Sequence, residues 1–157
     1  MPVVLTGAHT ALGQAVLSAL RAAGVPEIRV TVPDPAAAVT TRALGVPTAV
    51  SDLSDPLTTG AVLEGAHTVV HLHNPAQTYG WLREAAQGTS VRRVITVLPP
   101  EAEALPNTGS DGSELVELVV LTGDIGRPDP ALVAAILSAD RRPALDQRPG
   151  GPVHRRP

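Results

Sequence analysis

A chain of 157 residues with a formal charge of -3 is long enough for one domain with a continuous core, and its 43% apolar content is aliphatic, with one Trp, one Tyr and no Phe. All 12 basic residues are arginine and cysteine is absent, which excludes lysine-dependent catalysis, disulfides, thiolate nucleophiles and cysteine-bound metals; the acidic balance argues against nucleic acid as a partner. The N-terminus enters an apolar strand pattern without signal-peptide features, and no apolar run approaches the roughly 20 residues that cross a bilayer, so a soluble, cytoplasmic protein without a membrane partner is expected.

Pro2 to Leu5 predicts a short buried strand. Leu12, Val16, Leu17 and Leu20 then fall on one face of a helix from Ala11 to Ala23, ended by Gly24. Ile28 to Val32 reads as a second strand, Pro35 to Leu44 as a helix ended by Gly45, and Pro47 to Val50 as a third strand. Asp55 or Pro56 opens a short helix to Leu63. HTVVHLH, His67 to His73, is a fourth strand, Ala76 to Gln87 a helix, and Val91 to Leu98 a fifth strand. Strands separated by helices of this length imply right-handed crossovers, hence a three-layer α/β fold with a mainly parallel sheet of five or six strands.

The regularity falters after Pro99. Pro99, Pro100, Pro106, Gly109 and Gly112 make residues 99–113 thin material for a crossover helix. Glu114 to Leu121 is compatible with a sixth strand and Pro128 to Ser138 with a helix. The basic, aperiodic segment from Arg141 to Pro157 is expected to be flexible or partner-dependent, which leaves residues 1–140 as the folded domain.

TGAHTALG, Thr6 to Gly13, places a glycine turn between a strand and a helix inside a βαβ unit, the context in which such a turn binds a dinucleotide. Gly7 suits the tight turn and Gly13 the close helix packing, while the helix N-terminal N–H groups of Thr10, Ala11 and Leu12 face the phosphates. The segment resembles the TGxxGxxG of the extended short-chain dehydrogenase/reductase superfamily, in particular its NAD-dependent epimerase/dehydratase and NmrA-like groups. SDLSDP (Ser51 to Pro56) resembles that family's acidic segment after the third strand, which implies that Asp52 and Leu53 lie beside an adenine. HTVVHLHNP resembles its fourth strand, VRRVITV its fifth, and VVLTGDIGRP its sixth strand and the following turn. The resemblance covers about the first 100 residues and patches of the rest. It implies a Rossmann-like domain with NAD or NADP as its cofactor.

Several positions depart from that pattern. Thr10 replaces the middle glycine, so its side chain is expected to crowd a pyrophosphate. Val32 and Pro33 stand where relatives carry an acid for the NAD ribose or an arginine for NADP, and Asp34 is either a ribose contact or the N-cap of the next helix. The family's Tyr-x-x-x-Lys helix has no counterpart. Tyr79 and Arg83 have its spacing, but on the helix before the fifth strand. A shortened protein that binds a dinucleotide or small molecule without the family's proton-transfer groups follows. It would act as a binding, regulatory or assembly subunit, and its uncovered apolar surface would be buried in a homodimer or against a larger partner.

Two histidines carry the alternative, an enzyme using the same cleft, in an isomerisation, cyclisation or dehydration. His71 and His73 are two apart on the expected fourth strand, hence on one face, with His71 the structural member. His9 and His73 fall at the point where strand order reverses and where such sheets bind ligands, so either could serve as acid or base. A third reading is a reductase completed by a partner chain. No carboxylate has a ligand spacing to the pair, so no metal is expected. His67 reads as a surface residue. Asp52 and Asp55 read as caps or adenine contacts, Asp124 as a turn-former, and Glu114, Glu117 and the pair Arg92–Arg93 as solvated.

Overall fold

The structure, a computed structural model, describes residues 2–102 and 116–141. Residues 103–113 of the segment read as thin material for a crossover helix, Glu114, and the basic segment from residue 142 onward lie outside the described residues. Six strands, β1 (Val3–Thr6), β2 (Ile28–Val32), β3 (Thr48–Val50), β4 (Thr68–His71), β5 (Arg93–Leu98) and β6 (Glu117–Thr122), form one sheet in the order β3-β2-β1-β4-β5-β6. All pairs are parallel. The helices are α1 (Ala11–Ala22), α2 (Pro35–Ala43), α3 (Pro56–Leu63), α4 (Pro75–Ala86) and α5 (Pro130–Arg141). This is the expected three-layer α/β Rossmann-like fold, with six strands.

The two-residue alternation of the strands assigns side chains to the layers. Val3, Leu5, Val30, Val70, Ile95 and Val97 pack with Leu12, Val16 and Leu20 of α1 and Leu132 and Ile136 of α5. Val4, Val69, Val94 and Leu98 point the other way, onto Leu63 of α3 and Tyr79 and Leu82 of α4. Tyr79 is thereby a core residue and not a counterpart of the family's tyrosine. Proline opens α2, α3 and α4, where its missing N–H costs nothing, and Asp34 and Asp55 cap the first two.

Two corrections concern charge. Arg93, expected at a solvated strand end, is fully buried: its Nε lies 2.8 Å from Glu117 Oε2, and Nη1 donates to the carbonyl of Ala139 at 2.7 Å near the end of α5. Glu117 is correspondingly withdrawn from solvent, with a side chain 15% exposed. A guanidinium that bridges β5, β6 and the α5 terminus satisfies its donors inside the fold, which is the condition for burying the charge. His67 is partly buried and lies 3.1 Å from Thr68 Oγ1 at the amino end of β4, away from the cleft described next.

Candidate functional site

β1 lies between β2 and β4, so the chain leaves the sheet in opposite directions on either side of it, and the crevice above these carboxyl ends is the topological switch point. Gly7, Thr10, His9 and His73 line it from the β1–α1 and β4–α4 turns. Gly7 takes φ +76, and a Cβ there would stand 2.6 Å from the Leu72 carbonyl carbon, so only glycine lets the two turns pass this closely. At Gly13 a Cβ would meet the Gly7 carbonyl oxygen at 2.1 Å. The expected roles of both glycines in tight turning and close packing are thus visible in the backbone.

Thr10 has a local role in the turn. It is the N-cap of α1 in extended backbone geometry, and its side chain folds back into the turn. Its hydroxyl donates to the Gly7 carbonyl at 2.7 Å and accepts from Gly13 N–H at 2.9 Å. The residue that replaces the middle glycine therefore serves the helix end, the ordinary work of threonine at an N-cap. The next donor, Leu12 N–H, bonds the carbonyl of Ile125 in the turn after β6 at 3.0 Å.

His71 and His73 do not share a strand face, because β4 ends at His71. β1 ends at Thr6 and turns at Gly7, and the His73 N–H finds the Thr6 hydroxyl at 3.2 Å in place of a backbone partner. His71 is fully buried in a polar row: Thr31, Thr6, His71 and Thr96 are register neighbours across β2, β1, β4 and β5. His71 Nδ1 lies 2.8 Å from Thr6 Oγ1 and Nε2 lies 2.9 Å from Thr78 Oγ1. Thr78 donates its hydroxyl proton to the His73 carbonyl at 2.6 Å, so it accepts from His71 Nε2–H. Thr6 then donates to Nδ1 and accepts from the Leu72 and His73 N–H groups. One neutral tautomer satisfies every group. Burial, with a smaller push from His73, holds the His71 pKa down at about 3. Sequence reasoning missed Thr6, Thr78 and Thr96; the available signals were a threonine that ends the apolar run of β1 and another inside the apolar run of β5, whereas Thr78 on α4 carried none.

The His9 and His73 rings come together, with centroids 5.9 Å apart and planes inclined at 55°. His9 is exposed and His73 is buried at 7% exposure. Burial and the neighbouring His9 lower the pKa of His73, and the Asp52 carboxylate acts in the opposite sense. Asp52 accepts from Ser54 N–H at 2.9 Å and from the Ser54 hydroxyl at 2.6 Å, bonds that hold its carboxyl below the usual range. Asp55 caps α3, accepting from Leu57 N–H at 3.1 Å. Asp34 resolves to a cap: its Oδ1 accepts from Ala37 N–H at 2.8 Å. Leu53 and Asn74 are the non-glycine residues with positive φ, at +73 and +39 among the described residues. Each adjoins a candidate residue, Asp52 or His73, and strained backbone of this kind concentrates at ligand sites.

A nicotinamide dinucleotide can be tested against this crevice. The glycine turn and the Asp52–Leu53 corner are where the fold would place the phosphate bridge and the adenine. The phosphate end does not fit a pyrophosphate in this arrangement, since of the expected donors Thr10 N–H and Leu12 N–H, and Gly13 N–H beside them, already have acceptors within the chain. Among the described residues no group of three or more metal-ligating side chains converges, and no helix is long and apolar enough to cross a membrane.

No family profile and no curated protein matches the sequence. Solved structures do match. The NADPH-dependent quinone oxidoreductase QOR2 of Escherichia coli is 23% identical with a TM-score of 0.54 over 62% of this chain and 34% of its own. The Citrobacter triphenylmethane reductase, solved with NADP(H), is 22% identical with a TM-score of 0.55 over 63% of this chain and 38% of its own. The chain thus spans well under half the length of these two proteins. The anaerobillin reductase ChuY of Escherichia coli O157:H7 matches over 94% of both chains, at 14% identity and a TM-score of 0.70. These likenesses establish a shared Rossmann-like fold.

Proposed function

We propose that the chain is a shortened relative of the extended short-chain dehydrogenase/reductase and NmrA-like proteins that binds NAD or NADP at the switch point and does without tyrosine–lysine proton transfer. The observation that carries this reading is the convergence of the Gly7 turn and the His9–His73 pair at the switch point, the place where open α/β sheets take ligands. The named cofactors of QOR2 and triphenylmethane reductase support the ligand class. Titration with NAD and with NADP tests it. A bound cofactor raises the melting temperature by mass action, and no rise at millimolar concentration of either removes the reading.

A regulatory or assembly role without catalysis is one form of this proposal. A reductase is the other, and the match to ChuY over nearly the whole of both chains favours it, because a chain of this length then suffices for a reductase. In that form His73, buried beside His9, is the group positioned to exchange a proton with a bound acceptor. Quinones and triphenylmethane dyes, the acceptors named for two neighbours, are the first to assay with NADPH and NADH. Loss of turnover in His73→Ala with a retained fold supports the assignment, and full turnover overturns it. A second copy or a larger partner belongs to the same proposal, supported by the exposed Leu57 and Trp81 on the packed α3 and α4. A monomeric mass in solution contradicts it.

A further inference from the structure

We infer that the turn between β6 and α5, residues 123–127, is an internal occupant of the pyrophosphate position, so that its present arrangement and a bound dinucleotide exclude each other. The inference rests on the dinucleotide reading above and starts from the misfit at α1. An N-terminal helix turn offers its first N–H groups to a phosphate because no residue of the helix accepts from them. Here the chain supplies acceptors for two of them, the Ile125 carbonyl for Leu12 N–H and the Thr10 hydroxyl for Gly13 N–H. Thr10 is local to the helix, whereas Ile125 comes from the far side of the sheet, across β4 and β5.

The turn is built to stay there. Gly123 N–H donates to the Leu98 carbonyl at 2.9 Å, which continues the β5–β6 ladder into the turn. Asp124 Oδ1 accepts from Gly126 N–H at 2.8 Å, and the Asp124 carbonyl accepts from Arg127 N–H at 3.1 Å. The Ile125 side chain packs against the α1 side of the core while its carbonyl meets Leu12. The holds on α1 are few, the half-buried Ile125 side chain and one bond to the helix, while Asp124 bonds only within the turn and sets its shape. Such a turn can leave without unfolding the sheet. A phosphate oxygen arriving at Leu12 N–H would replace a single carbonyl, and the apparent affinity of the cofactor would fall by the fraction of time the turn is closed.

The test compares wild type with Asp124→Ala, which loosens the shape of the turn, and Ile125→Gly, which removes its apolar hold on the α1 side of the core. Binding of NADP, NAD and inorganic pyrophosphate is measured while amide exchange is followed at Leu12, Gly126 and Arg127. The expected result is that NADP or NAD exposes the Gly126 and Arg127 amides and keeps Leu12 protected, and that both variants bind the cofactor about five-fold more tightly or better, the factor that one net hydrogen bond represents. Cofactor bound equally by all three proteins, with Gly126 and Arg127 still protected, overturns the inference and leaves the cofactor reading standing. Pyrophosphate bound by the variants alone, with no dinucleotide bound by any protein, supports the occupant and removes the cofactor reading. An opened turn that binds neither probe overturns both.

Discussion

The hydroxyl of Thr78 lies 2.9 Å from Nε2 of His71, and its one proton goes on to the His73 carbonyl at 2.6 Å. With Thr6 holding the His73 N–H at 3.2 Å, the buried imidazole and two threonines grip both backbone groups of the residue that faces His9.

Thr78→Val leaves Nε2–H of His71 and the His73 carbonyl short of a partner in a buried place. The expected cost is about 2 kcal/mol, which for a chain of this size lowers the melting temperature by about 4–8 °C. Thr78→Ser keeps the hydroxyl and should lie close to wild type. Thermal unfolding of the two variants reads the difference, and equal losses in both would mean that methyl packing, not the hydrogen bond, carries the site.

Acid should weaken the fold through the same imidazole. His71 is held down at about 3 in the folded chain against 6.5 for the unfolded residue, so the unfolded state binds the extra proton between those values. Stability is then full above about pH 6.5 and is lost as pH falls through that window, by at most about 1.4 kcal/mol per pH unit for one histidine. His73, lowered in the same direction, adds to the slope. Urea unfolding at stepped pH should show His71→Asn with a flatter profile than wild type, and an unchanged slope would place the acid sensitivity elsewhere.

Arg93→Ala removes the guanidinium from between Glu117 and the α5 terminus and takes the 2.8 Å ion pair from a largely buried carboxylate. A loss of about 3 kcal/mol is expected in denaturant titration, and Arg93→Met with Glu117→Leu should recover most of it. A loss in Arg93→Ala no larger than for exposed Arg92→Ala would contradict the buried pairing.

Two glycines separate backbone strain from crowding. Gly24 has φ +77 with nothing within 4 Å of an added Cβ, so Gly24→Ala should cost about 1 kcal/mol. Gly7 has φ +76 and the Leu72 carbonyl carbon at 2.6 Å, so Gly7→Ala should cost more than about 3 kcal/mol or prevent folding. Soluble yield and unfolding midpoints compare them; similar behaviour would argue that the β1–α1 and β4–α4 turns can separate.

Much of this architecture is legible in local pattern. The stripe Leu12, Val16, Leu17, Leu20 sets the α1 face, the runs VVL and TVVH mark central strands, and Gly7 and Gly13 mark the turn. Thr10 is legible as an N-cap from residue type alone, whereas its likeness to a glycine position suggests only a clash. Arg93 was not readable, since its burial depends on Glu117 and on the end of α5, partners distant in sequence. His73 left the strand because β1 stops at Thr6, a fact about the neighbour and not about HTVVHLH. The Ile125 carbonyl has no sequence signature at all, because any residue in that turn would present one.

The most direct measurement is calorimetric titration of the intact chain with NADP and, separately, with NAD. A saturable one-to-one isotherm with either, abolished or strongly weakened by Gly7→Val in any protein that still folds, and a matching rise in melting temperature, is the result predicted here. Absence of heat and of any thermal shift with both cofactors at millimolar concentration would contradict dinucleotide binding at this crevice.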